Sequence, residues 1–359
     1  MIELNGSQLA FFIDGTYWNL LQQDFVYLKI QRGVNLAVAI LELRFNDRQQ
    51  FFRANNITSG TLFSTSWTVD GKEKLYNWNI SEINQSNDDS LTTQIVAYLH
   101  KPKWMRGIAD PFYGTSYEAI KKLAADCDYT FTSNVFATDD ECMWAGNYTN
   151  YGLASEICSK GYADSKSCMA LATGLEAIAY NNVFATPNWT TATSITDTVE
   201  KDADVKLLSQ YIKRANSTSQ LLYCYQFEVD YQGIDAENYI INKTSFQKIF
   251  SETLPINNEY YKDVGLVRVE QYPLDFGNFH KNEKDAYYNN LKRKSQFLES
   301  TLNFVNGFPK VSLLEQVKVS YEGHQTYGIV SSIITTFTGD TKSISSRVDV
   351  ISTNNNVGA

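Results

Sequence analysis

Apolar and polar residues alternate with a period of two through much of the first hundred positions, so the chain opens as β-sheet. Phe25–Arg32 sets Val26, Leu28 and Ile30 on one face and Phe25, Tyr27, Lys29 and Gln31 on the other. After Gly33, residues Asn35 to Phe45 read as a second long strand. Its apolar set passes from Leu36, Val38 and Ile40 to Leu41, Leu43 and Phe45. Strand side chains change face at every residue, so this one-residue shift of phase predicts a bulge or sharp bend near Ile40. Asp70-Gly71, between Trp67 and Tyr76, predicts a hairpin, and strands follow at Trp78–Ile80 and Thr93–Leu99.

The period changes between 106 and 215. Thr115-Ser-Tyr-Glu118 is a capping box, in which the Thr side chain takes a free helical N–H and the Glu reaches back to the cap. Ile120, Leu123, Ala124 and Cys127 then recur on one helical face. A second helix is predicted over Asn150–Lys160, with Leu153, Ala154, Ile157 and Cys158 inward and Gly161 as its stop. Cys168 to Tyr180, broken at Gly174, reads as an apolar hairpin, and Thr190 to Lys206 as a polar loop running into a short helix. Strand alternation returns at Tyr223, Tyr225, Phe227 and Val229. Lys281 to Ser300 reads as a charged helix with Tyr288, Leu291 and Leu298 on its inner stripe. Four strands close the chain, within Asn303–Pro309, Leu313–Val319, Tyr327–Ile334 and Ser343–Val350. Two β-rich segments thus flank an α/β segment, which hints at a duplicated β module without any repeat of fixed period.

At 359 residues the chain can hold two or three domains, and only 6 Pro argue against long flexible linkers. Aromatics at 14% suit pleated sheet. A net charge of −9 repels phosphate backbones and argues against sequence-specific nucleic-acid binding, though not against DNA passing close by. The first residues lack a basic and then apolar leader, so no signal peptide is expected. The run Leu36–Leu43 already contains Glu42, so no membrane insertion is expected either. Five cysteines without a CxxC fit small buried side chains better than a disulfide framework or a zinc site.

Candidate chemistry is sparse. His100, His280 and His324 have no metal-ligand spacing, and neither a nucleotide loop nor a nucleophile elbow is present. The acidic groups Asp88-Asp89, Asp139-Asp-Glu141 and Asp202-Ala-Asp204 lack the glycine and distal Glu of a calcium loop and read as solvated. Trp67, Tyr76 and Trp78 suit either sugar stacking or cross-strand aromatic packing. No catalytic residue, cofactor or metal is expected.

The order of pieces resembles the baseplate (tail) hub protein of contractile-tailed bacteriophages, itself similar to the N-terminal hub region of type VI secretion spike proteins. Four stretches carry the likeness. They are the early hairpin Phe25–Arg32 with Asn35–Asp47, Gly107–Ser116 leading into the first helix, Trp144 through the second helix to Tyr180, and Gly307–Asn354. Leu313-Leu-Glu-Gln316 stands where the family has a Pro-Gly turn.

The resemblance implies a mainly β, α+β fold with two tube-like antiparallel β-barrel modules and an inserted α/β domain. The first module would span 1–105, the insert 106–218, and the second module 219–241 with 301–359. A peripheral insertion with a helix would occupy 242–300. It further implies a virion protein, made in the host cytoplasm, that forms a homotrimer and works without catalysis. Its partners would be the tail tube protein, the central spike protein and other baseplate wedge proteins, with genome DNA passing through the channel. The first hairpin would face the lumen, matched by one near Tyr223–Asp230 or Val317–Tyr321. Lys29, Gln31, Glu42 and Arg44 are the candidate lumen or interface residues. The alternative is a carbohydrate- or receptor-binding surface protein.

Overall fold

In the computed structural model the early alternation is realised in a curled antiparallel sheet. The structure describes residues 1–182 with gaps at 5–6, 35, 49, 70–71, 87–90, 139, 145–147 and 164–168. Beyond them it describes 193–196, 206–213, 223–233, 246–254, 266–271, 279–280, 298–305, 311–321 and 324–352. The first elements are β1 (Ile2–Leu4), β2 (Ser7–Ile13), β3 (Thr16–Trp18), β4 (Phe25–Val34), β5 (Ile40–Asn46), α1 (Phe51–Ala54), β6 (Leu62–Val69), β7 (Lys72–Gln85) and β8 (Thr92–Leu99). Next come α2 (Pro102–Arg106), β9 (Phe112–Gly114), α3 (Ser116–Asp126), β10 (Thr130–Thr132), β11 (Cys142–Trp144), α4 (Asn150–Lys160), β12 (Met169–Thr173) and β13 (Ala177–Asn182). The remainder is β14 (Thr193–Thr196), β15 (Lys206–Lys213), β16 (Tyr223–Gly233), β17 (Phe246–Leu254), β18 (Leu266–Gln271), β19 (Phe279–His280), β20 (Leu298–Val305), β21 (Gln316–Tyr321), β22 (His324–Thr338) and β23 (Ser343–Ser352).

In the first half the strands lie side by side in the order β2, β6, β7, β8, β5, β4, all antiparallel. Phe11 of β2 and Phe25 of β4 stand at opposite ends of that order, yet their ring centroids are 6.1 Å apart. The sheet therefore curls on itself around an aromatic filling. Trp18 touches Phe11, Phe45, Phe51, Phe52 and Phe63. Such pairs stabilise by about 0.5–1.5 kcal/mol each beyond the area they bury. Trp78 is fully buried, and Trp67 stacks on Tyr76 at 4.5 Å, so these aromatics are core and not a sugar platform.

The bend expected near Ile40 is present just before it, and a bulge that the alternation did not predict lies in the preceding strand. The strand predicted from Asn35 begins only at Ile40; Val38 and Ala39 are buried in a bend, where the Trp104 indole donates to the Ala37 carbonyl at 2.8 Å. The bulge lies in β4 between Phe25 and Tyr27, and it turns Phe25 to the core beside Leu28 and Ile30.

The predicted capping box of α3 is present, with both reciprocal bonds between Thr115 and Glu118. α4 keeps the predicted bounds, and the hairpin expected up to Tyr180 forms as β12 and β13. Helices α3 and α4 share one hydrophobic core with the first sheet, through Trp104, Ile120, Leu123, Trp144, Leu153 and Ile157. Asp140 corrects the solvated reading of its cluster. Its carboxylate is fully buried and accepts from the Ser116 N–H at 2.9 Å and the Tyr162 N–H at 2.8 Å, tying the start of α3 to the end of α4. Cys127 and Cys158 are buried, as expected of small apolar side chains. Two expected helices differ. Thr193–Thr196 is a strand, and Leu298–Ser300 belongs to β20; residues 281–297 lie outside the described residues.

Candidate assembly surface

The second half of the sheet runs β22, β23, β20, β15, and β4 pairs directly with β22. The order is therefore continuous: β7, β8, β5, β4, then β22, β23, β20, β15. The registers of its two halves superpose. In the first half Phe25 lies opposite Phe45, Val26 is bulged and Tyr27 meets Arg44; in the second Leu207 lies opposite Phe304, Leu208 is bulged and Ser209 meets Asn303. Across β5 and β8 Arg44 meets Gln94, as Asn303 meets Arg347 across β20 and β23. β7 carries a bulge between Ile80 and Glu82, and β22 carries one between Val330 and Ser332. In each the bulged residue is serine, Ser81 or Ser331. The match extends to β6 on β7 and β21 on β22, where Leu62 opposite Asn79 corresponds to Gln316 opposite Ile329. A slip of one residue would turn every side chain over, so five strands agreeing through two bulges each define one duplicated unit.

The duplication corrects the partner expected for the first hairpin. The counterpart of β4 is Lys206–Lys213, and Val317–Tyr321 corresponds to β6. Tyr223–Gly233 pairs with β17 and β18 in a separate sheet. The sixth place differs between halves, with β2 antiparallel to β6 and β14 parallel to β21.

The seam between halves runs from Tyr27 opposite Thr338 to Gly33 opposite Ser332. A glycine closes each end. A Cβ on Gly33 would stand 2.7 Å from the Ser331 carbonyl oxygen, and one on Gly339 would stand 2.1 Å from that of Phe25. On its far edge Gly33 also meets Thr173 of β12, and the Asn181 amide donates to the Leu314 carbonyl at 2.8 Å. The α/β segment thus buttresses both halves where they join.

All four candidate residues lie on the face of β4 and β5 opposite Leu28, Ile30, Leu41 and Leu43. Lys29 stands across from Glu42 with Nζ to Oε2 at 3.5 Å, a half-exposed pair contributing about 0.2–1 kcal/mol at most. Glu42 also accepts from the Tyr27 hydroxyl, and from Gln94 Nε2 at 2.6 Å. Burial, and then that bond to Glu42, push the Tyr27 phenol up to about 12. Arg44 meets Tyr27 and Gln94, and Gln31 meets Ile40 and, over the seam, Ile334. The same face continues through Thr336 and Thr338 to Arg347, whose Nε lies 2.9 Å from Asp349 Oδ1. Its charges are largely paired within the sheet. Tyr27, Gln94, Arg347 and the two glycines were not singled out from the sequence; strand parity carried Tyr27, which shares its face with Lys29. Among the described residues no group of three or more His, Cys, Asp or Glu could hold a metal.

Replacing Glu42 with glutamine is expected to return the Tyr27 phenol from about 12 toward its ordinary value near 10. NMR of ring-labelled tyrosine, with the Tyr27 signal assigned from Tyr27→Phe among the 23 tyrosines, reads this, and an unchanged midpoint would show that the bond to Glu42 contributes nothing.

The fold is similar to that of solved tail proteins. The tail protein of Neisseria meningitidis MC58 is similar over 96% of each chain with a TM-score of 0.60 at 10% identity. The 43 kDa tail protein of prophage MuSo2 from Shewanella oneidensis is similar over 97% of this chain and 99% of its own, with a TM-score of 0.57 at 11% identity. A chain of the Francisella PdpA–VgrG complex is similar over 100% of this chain and 60% of its own, with a TM-score of 0.50 at 9% identity. No family model matches the chain, and no curated protein sequence matches it significantly.

Proposed function

We propose that the chain is the structural hub of a contractile phage tail baseplate. In this reading it is a homotrimer that adapts a hexameric tail tube to a trimeric spike and lines the channel through which genome DNA passes. The observation that carries it is the duplicated register. Each chain supplies two equivalent five-stranded units side by side, so three chains supply six, which is the step in symmetry that a tube-to-spike adaptor must make. The face bearing Lys29, Gln31, Glu42 and Arg44 is assigned to the lumen. Its carboxylates neutralise most of its cations in place, which lowers the electrostatic grip on a passing polyanion.

The α/β segment between the two units is the outer buttress. The tail tube protein, the central spike protein and baseplate wedge proteins are the partners, and the role needs no catalysis. Light scattering on the purified chain is expected to give three copies, and electron microscopy a ring that caps tail tube protein. A monomer retained on a glycan column would favour a carbohydrate-binding surface protein instead.

A further inference from the structure

The seam inside the chain is a template for two edges that remain open. β4 lies along β22 beyond the bulge at Ser331. The counterpart of β4 is β15, and the counterpart of that stretch of β22 is β7 beyond Ser81. Among the described residues β15 pairs with β20 alone, and Glu82–Gln85 pairs with β8 alone. Glu82, Asn84 and Gln85 are exposed. The chain therefore carries at one end of its eight-strand run an edge of the kind β22 offers, and at the other end an edge of the kind β4 offers. Open edges with unpaired N–H and C=O groups attract further strands, and two unlike complementary edges make a head-to-tail contact.

We infer that β15 of a second copy of this chain pairs with β7 beyond Ser81, in the register of the internal seam. Gln31 opposite Ile334 transposes to Lys213 opposite Asn84. Ile30 opposite Thr335 transposes to Ile212 opposite Gln85, and Lys29 opposite Thr336 to Tyr211 opposite Ser86. The inference rests on the hub reading for the number of copies in the closed ring, whereas the register comes from the chain's own pairing. The strand order makes the contact antiparallel, like every other neighbour in the run.

Cysteine pairs in the full-length chain test it. Residues opposite each other in an antiparallel ladder have Cα atoms about 4.5–5.5 Å apart, within reach of a disulfide, whereas a one-residue slip points the side chains to opposite faces. Asn84→Cys with Lys213→Cys, and separately Gln85→Cys with Ile212→Cys, are oxidised and run on non-reducing gels. Asn84→Cys with Ile212→Cys is the slipped control. Gln31→Cys with Ile334→Cys, which must close within one chain, reports that the fold is intact. The parent chain and each single variant set the background from the native cysteines.

The expected result is loss of the monomer band to covalent dimers and higher species in at least one in-register variant, and retention of monomer in the slipped one. An oligomer by light scattering that does not cross-link in register, or that cross-links equally when slipped, overturns this pairing and leaves the hub reading standing. A chain that stays monomeric at high concentration overturns both.

Discussion

Gly339→Val is expected to be among the most damaging single changes in the described part of the chain, lowering stability by about 3 kcal/mol or more. The Gly339 N–H donates to the Val26 carbonyl at 2.8 Å, which draws the turn after β22 down onto the start of β4. Any Cβ there meets the Phe25 carbonyl oxygen at 2.1 Å and its carbon at 3.0 Å. Both are backbone atoms, so no rotamer change relieves the clash, and the end of the seam must open. Gly15→Ala is the comparison: its φ is +78°, yet nothing lies within 4 Å of the added carbon. That substitution should cost only the strain of a left-handed residue, about 1 kcal/mol. Denaturant midpoints of the two variants separate the effects. Hydrogen exchange at the Leu28 and Ile30 amides, whose backbone groups face β22, should rise in Gly339→Val and stay unchanged in Gly15→Ala. Equal midpoints would mean that the seam does not hold the two halves together.

Asp140→Ala should cost about 3 kcal/mol, because it leaves two buried N–H groups, Ser116 and Tyr162, without an acceptor. The arrangement is tight around it. Tyr180 donates to Ser116 Oγ at 3.0 Å, and Ser116 Oγ lies 3.3 Å from Thr138 Oγ1. Burial raises the Asp140 carboxyl above its ordinary value, against the hydrogen bonds from Ser116, Thr138 and Tyr162 that lower it. With the native value above the unfolded one, the native state binds the extra proton between them. Stability from this group is therefore full below the ordinary carboxylate range and is lost as pH rises through the native value. Asp140→Asn removes that slope, while placing an NH2 where two N–H donors converge, so it should be less stable than the parent near neutral pH. A pH profile of unfolding free energy identical in parent and Asp140→Asn would remove Asp140 from this account.

Much of the fold was legible where local chemistry is self-contained. The Thr115–Glu118 box, the Gly161 stop of α4, the antiparallel pairing of β6 with β7 and the strand runs each signal themselves within a few residues. The duplication was only hinted at, and the registers explain why. Equivalent inward positions stay apolar, as in Leu43 with Leu302, Phe45 with Phe304, Ile83 with Ile333 and Ile95 with Val348. Outward ones diverge, as in Arg44 with Asn303 and Gln94 with Arg347. Segments of unequal length separate the strands, so the spacing between equivalents changes from strand to strand and no fixed period survives. The bend before Ile40 was legible as a change of phase, whereas Val38 and Ala39, apolar and buried, read as strand, and the bulge in β4 was not anticipated. Asp140 read as solvated because its acceptor role depends on Ser116 and Tyr162, both more than twenty positions away. The candidate face followed from alternation alone, but its partners across the seam lie some three hundred residues downstream.

The two equivalent hairpins are not equally decorated. Between β4 and β5 the chain turns back within the few residues from Val34 to Ile40, whereas between β15 and β20 it passes through β16, β17, β18 and β19 before returning. Any ring assembled from both units must therefore alternate a short tip, packed against the α/β segment, with an elaborated one along that rim. A ligand reading the smooth wall meets a motif repeated twice per polypeptide. One reading the rim meets it once, so a closed ring of such chains would carry two different rotational orders at its two heights.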